Sequence, residues 1–253
     1  MLSTFGKTKY LSKSFTQLVE GKSELAAIRR EHSQLTPKDR TVAAAWSNDA
    51  SIANFTFSKA LAQVGQKGFA PPTWPCGYVA LAIDPDYAPA LLTVASIEYQ
   101  LGRVDEALKL SLRLLELPPT TEDLVEIIDK AGDFLIDQKD WRNAHALYAA
   151  ACQRLPQVPV FYSGLGYCLA KLGKRAEAIV AYRRAVELEP RSHLWLNDLG
   201  FSLTEAGQYN EALPILEQAA ALAPPDYELA KNNLALLRGI MARSSAVPHA
   251  DGG

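Results

Sequence analysis

Residues Pro159 to Pro190, PVFYSGLGYCLAKLGKRAEAIVAYRRAVELEP, carry the pattern of two short amphipathic helices and a turn. Tyr162, Leu165, Gly166 and Leu169 share one face of the first helix, and Lys171-Leu172-Gly173-Lys174 forms the turn. Ala178, Tyr182 and Ala185 then recur at i, i+4 and i+7 on the second helix, which Pro190 stops. Small residues are needed where two helix axes approach closely, and Gly166 and Ala178 supply them. Large side chains fill the space between. Gly173 suits the left-handed conformation that ends a helix.

The unit recurs in both directions. Pro85, Pro119, Pro156, Pro190 and Pro224 are spaced 34, 37, 34 and 34 residues apart. Gly68, Gly102, Lys139, Gly173 and Gly207 keep the same spacing, as do Ala107, Ala144, Ala178 and Ala212. Three sets of markers hold one register, broken once by a three-residue insertion near Thr120.

This pattern resembles the tetratricopeptide repeat, whose motif W-x2-L-G-x2-Y, A-x3-F and P recurs every 34 residues. The unit 159–190 is nearly complete, with Tyr162 in the tryptophan position. Unit 193–224 matches through Leu196, Leu199, Gly200, Leu203, Ala212, Leu216, Ala219 and Pro224. Unit 125–156 matches through Ile128, Ala131, Gly132, Leu135, Ala144, Tyr148 and Ala151. Unit 88–119 fits through Leu91, Val94, Ala95 and Ala107 but departs at Glu98 and Ser111. The resemblance implies an all-α, right-handed superhelical solenoid of helix-turn-helix repeats over 88–224.

Outside those four units the pattern weakens. Residues 54–87 read as a degenerate repeat whose second helix opens on an irregular loop, Ala70 to Gly77, because of its prolines. Residues 225–243 read as a capping helix, with Glu228, Lys231, Asn232 and Arg238 as its solubilising polar face. Residues 244–253 read as a flexible tail. Residues 1–53 form a non-repeat segment with helix-compatible stretches, and Thr36-Pro37-Lys38-Asp39 is a good helix start. Residues 1–19 hold three lysines and no acid, a faint likeness to a targeting segment, and read as a solvated first segment.

Composition narrows the function classes. The chain has 253 residues, including 38 Ala and 35 Leu, which favours helix. Its charge-free stretches do not exceed 16 residues, which speaks against a membrane-spanning helix. Three cysteines without zinc-type spacing (Cys76, Cys152, Cys168) argue against a disulfide framework and suit a reducing, cytoplasmic setting. Residues 1–50 carry 8 Lys/Arg against 5 Asp/Glu, while residues 84–253 carry 16 against 23. The acidity of the repeat region opposes a nucleic-acid partner, including the reading as a helical-repeat RNA binder.

Catalytic chemistry has little to stand on. The four histidines lie far apart, and no phosphate loop, nucleophile elbow or metal-binding helix motif occurs. No cofactor and no metal are expected. Cys152 and Cys168 sit beside core positions and read as packing residues, whereas Cys76 lies beside Trp74 in the proline-rich stretch.

The resemblance implies instead a concave groove lined by the first helix of each unit. Carried over, its positions fall on Leu92, Ser96, Tyr99 and Gln100, and then on Glu126, Asp129, Asp133, Ile136 and Asp137. They continue through Val160, Ser163, Tyr167 and Lys171, then Leu194, Asn197, Phe201 and Glu205, with Lys231 from the cap. The expected partner-binding residues are Tyr99, Tyr167 and Phe201 as apolar anchors, Glu126, Asp129, Asp133 and Asp137 as an acidic stripe, and Asn197. Such a groove fits a protein or peptide partner that is apolar plus basic. The Lys and Asn clamp of chaperone-tail-binding repeats is missing, because Asp129 and Asp133 stand at its first two positions. The alternative is an assembly subunit that docks or self-associates through residues 1–83.

Overall fold

The computed structural model describes residues 74–245, and the readings of residues 1–73 and 246–253 lie outside them; Ser244 and Ser245, expected in the tail, instead continue the last helix. Among the described residues the regular structure is helical. Helices α1 (Trp74–Ile83), α2 (Ala88–Gln100), α3 (Val104–Arg113), α4 (Leu124–Asp137) and α5 (Trp141–Arg154) come first. They are followed by α6 (Pro159–Lys171), α7 (Arg175–Leu188), α8 (His193–Glu205), α9 (Tyr209–Leu222) and α10 (Glu228–Ser245). The chain divides into two compact units, the first ending at Ala131 and the second beginning at Gly132.

In the first unit α1, α2 and α3 pack in sequence. The structure corrects the irregular loop expected through Gly77, because α1 already starts at Trp74 with Pro75 in its first turn. The first N–H groups of a helix have no carbonyl partner within it, so a proline there forfeits nothing. The two residues of unit 88–119 that depart from the motif are both accommodated. Glu98 is buried but ion-paired with Arg103 through the guanidinium Nε. Ser111 is buried with its hydroxyl donating to the Ala107 carbonyl at 3.0 Å. After α3 the chain tightens into a 3-10 turn over Leu114–Glu116, and Pro118 and Pro119 end it.

In the second unit each helix from α5 to α10 packs on the next, and the first helices α6, α8 and α10 also touch in succession. The core is the one read from the register. Leu169, Ala178, Tyr182, Leu199, Leu203, Ala212 and Leu216 join Leu237 of α10 in one buried cluster. A Cβ added to Gly166 would lie 2.8 Å from Cε1 of Tyr182, and one added to Gly200 would lie 2.6 Å from Cγ of Leu216. These glycines are therefore the sites of closest approach between the two helices of a repeat. The tryptophan position behaves differently: Tyr162 is half-buried, and its neighbour Phe161 is fully buried, 6.5 Å from the Tyr148 ring.

The turns within the repeats share one geometry. The backbone N–H groups of Arg103, Asp140, Lys174 and Gln208 donate to the carbonyls of Glu98, Leu135, Leu169 and Leu203, each at 2.9 Å. This six-residue closure needs a left-handed residue at the helix end. Gly102, Gly173 and Gly207 provide it with φ of 79°, 80° and 76°, and Lys139 adopts 59° at the fourth position.

Candidate functional site

Within the second unit the exposed large apolar residues, Val180 of α7 apart, lie on the first helices. Tyr167 of α6 is 38% exposed and Phe201 of α8 is 36% exposed, and they occupy the same position in successive repeats. Leu194, 40% exposed, lies two turns before Phe201 on α8, so it shares that residue's face. Exposure of three large apolar side chains at register-related positions is not explained by the core, which uses other residues of the same helices.

Tyr167 is held in place from two sides. The Trp141 ring at the start of α5 meets it edge to face with centroids 6.0 Å apart, and Lys171 Nζ stands 5.0 Å from the ring centroid. The quadrupole of the tyrosine ring favours both arrangements. The Trp141 contact reaches from one repeat to the next and leaves no trace in the pattern of a single repeat.

The acidic residues of α4 are less uniform than their spacing suggests. Glu126 is ion-paired with Lys130 at 2.6 Å, four residues on, and Asp129 is half-buried. Asp133 accepts a hydrogen bond from the Tyr148 hydroxyl at 3.3 Å. Burial raises the Asp133 carboxyl above the usual carboxylate range, the tyrosine bond opposes that, and the nearby Asp137 charge adds to it. Of the α4 acids, Asp133 and Asp137 belong to the second unit, and both are exposed. Tyr99 is half-buried on α2 in the first unit.

Asn197 requires a correction. It is 2% exposed, and its side-chain oxygen accepts a hydrogen bond at 2.8 Å from the amide of Asn233 on α10. The contact between α8 and α10 turns this groove position inward, so Asn197 fixes the two helices rather than meeting a partner. Next to it stands Asp198, which the sequence reading did not single out. Its carboxylate accepts from the Ser163 hydroxyl at 2.9 Å and is also hydrogen-bonded by Asn197. Burial nevertheless pushes its carboxyl upward. The Asp198–Ser163 bond ties α8 to α6, so the two helices that present Phe201 and Tyr167 are cross-linked by polar groups beneath them.

The described cysteines are packing residues. Cys152 and Cys168 are buried, and burial pushes both thiols up to about 12. At neutral pH neither supplies a thiolate. Among the described residues no group of three His, Cys, Asp or Glu side chains is placed to hold a metal ion, and no helix is long and apolar enough to cross a membrane.

A ladder of helical pairs with closely approached glycines, left-handed turn residues and stacked first helices defines a helical repeat protein. Residues 159–192 and 194–223 each match the tetratricopeptide repeat, so these two stretches are tetratricopeptide repeats. Comparison with curated proteins gives no match. Among solved structures, the chain is similar to the Sgt2 TPR domain from Aspergillus fumigatus at 20% identity and a TM-score of 0.47, over 53% of this chain and 90% of that one. It is similar to a thermophilic TPR protein of Thermus thermophilus at 21% identity and a TM-score of 0.45, over 75% of this chain and 100% of that one. It is also similar to PcrH in complex with the chaperone binding region of PopD, at 24% identity and a TM-score of 0.46, over 51% and 98%.

Proposed function

We propose that this chain is a non-enzymatic interaction scaffold that holds a segment of a partner protein against the first helices of its second unit. One observation carries the reading: Tyr167, Leu194 and Phe201 stay exposed on the faces of α6 and α8 while their repeats bury a full core. Stacked repeats create extended concave surfaces suited to such binding. Tyr167 is pre-positioned by Trp141 and Lys171, which lowers the entropy lost when a partner covers it. The partner segment is apolar plus basic. Its apolar side chains meet Tyr167, Leu194 and Phe201, and its Lys or Arg meets Asp133 and Asp137.

Affinity then rests on the aromatics and selectivity on the acids. Truncating either aromatic anchor costs roughly 2–4 kcal/mol of binding. Replacing an exposed acid mainly lowers the association rate and its salt dependence. The test is capture of partners by the full chain, using proximity labelling to find them and purified components to measure them. Phe201→Ala and Asp133→Lys should each weaken capture. Val180→Ala should not, because that valine is 68% exposed on the second helix α7. If both groove variants capture as the parent does, the first-helix face is not the binding surface.

A further inference from the structure

Helix α10 departs from the polar cap that its composition suggests. Leu229 and Leu236, seven residues apart on one face, are 51% and 47% exposed. Two repeats earlier the same register positions hold Phe161 and Cys168, both fully buried. The face that α6 packs against its neighbours is thus left uncovered on α10, with leucines still on it.

We propose that this face pairs with α10 of a second copy of the chain, antiparallel across a twofold axis at Leu236. The charges along the helix select that arrangement. Glu228 stands at its start, within a surface ion pair to Lys231 at 2.9 Å that leaves its carboxylate open to a second cation, and Arg243 stands near its end; both are exposed. An antiparallel pair sets each Glu228 beside the second copy's Arg243, whereas a parallel pair sets like charges together. The arrangement also makes Leu236 meet itself and lays Leu229 along the aliphatic stem of Arg243. Gly239 lies one turn after Leu236, and a Cβ there would find only the Arg243 guanidinium, at 3.8 Å, within contact range. That leaves a shallow step on the face where the second helix can approach closely. A single helix face is small beside a standard interface, so the dimer forms reversibly with concentration. Pairing at α10 leaves Tyr167, Leu194 and Phe201 uncovered, so a dimer presents two grooves and binds a repeated partner with avidity.

The experiment is sedimentation or light scattering of the full chain over a range of concentrations up to several hundred micromolar. The expected result is a mass that rises from one chain toward two. Leu236→Asp should weaken association by about tenfold or more, with helicity unchanged by circular dichroism, since burying a carboxylate in an apolar contact is strongly disfavoured. Arg243→Glu alone should weaken it, and Arg243→Glu combined with Glu228→Arg should restore it. Phe201→Ala should leave the mass profile unchanged, which separates this interface from the groove. The proposal is overturned by a mass of one chain throughout, by a dimer insensitive to Leu236→Asp, or by a double charge swap that fails to recover what the single one lost.

Discussion

The Tyr148 ring lies between two glycines from different helices, which makes Gly164→Ala a sharp test of the packing. A Cβ at Gly164 of α6 would stand 2.5 Å from Cε1 of Tyr148. On the other side, a Cβ at Gly132 of α4 would stand 2.5 Å from Cε2 of the same ring. Tyr148 is buried and its hydroxyl is bonded to Asp133, so the ring cannot retreat from one helix without running into the other. Normal carbon contacts are about 3.5–4.0 Å, so the ring or a helix must move by about 1 Å. Overpacking of that kind costs about 3 kcal/mol at the upper end of the usual range. The better helix propensity of alanine offsets about 1 kcal/mol of it. The net loss of about 2 kcal/mol corresponds to a fall of about 8 °C in Tm for a unit of this size.

The assay is thermal and urea unfolding of Gly164→Ala in the parent and in a Tyr148→Val background, where the clashing ring atoms are gone. In the second background the alanine should be neutral or stabilising, by up to about 1 kcal/mol. A Tm that does not fall in the parent would refute the reasoning. An equal fall in both backgrounds would as well, because the loss could not then come from the ring.

Three further outcomes are expected. Lys139→Gly should raise stability by roughly 0.5–1 kcal/mol in urea unfolding, because Lys139 holds a φ of 59° where the other repeats place glycine. Asp198→Asn should change how stability depends on pH. Burial raises the native Asp198 carboxyl, so the folded chain takes up that proton before the unfolded chain does. The parent therefore gains stability from this group as pH falls through the raised value toward the ordinary carboxylate range, and loses it again as pH rises. The difference in unfolding free energy between parent and variant, measured from pH 7 to 4, should show that gain only in the parent. Finally, in a Cys76→Ser background neither Cys152 nor Cys168 should react with a thiol reagent until the chain is unfolded, since both are buried with thiols pushed up to about 12.

The repeat register, the small residues at helix crossings and the turn positions were legible in the sequence. They are local consequences of helix periodicity and of the space a glycine or alanine leaves, and a 34-residue recurrence shows them several times over. Gly166 against Tyr182 and Gly200 against Leu216 follow from that logic alone. The exposed aromatics Tyr167 and Phe201 were also legible, because the register assigned the core to other residues.

Tertiary structure decided what depends on a neighbouring repeat. Asn197 looked like a groove residue and is buried, because α10 approaches α8 closely enough for Asn233 to bond it. Tyr162 occupied the motif's aromatic position, yet Phe161 is the ring that reaches Tyr148 across the junction. The acids of α4 read as one stripe of like charge, but Lys130 pairs with one and the Tyr148 hydroxyl bonds another. Helix α10 read as a cap with a polar outer face, yet Leu229 and Leu236 are exposed on it. A sequence period fixes which residues lie on one side of a helix. Only the packing of successive helices fixes which of those sides is covered.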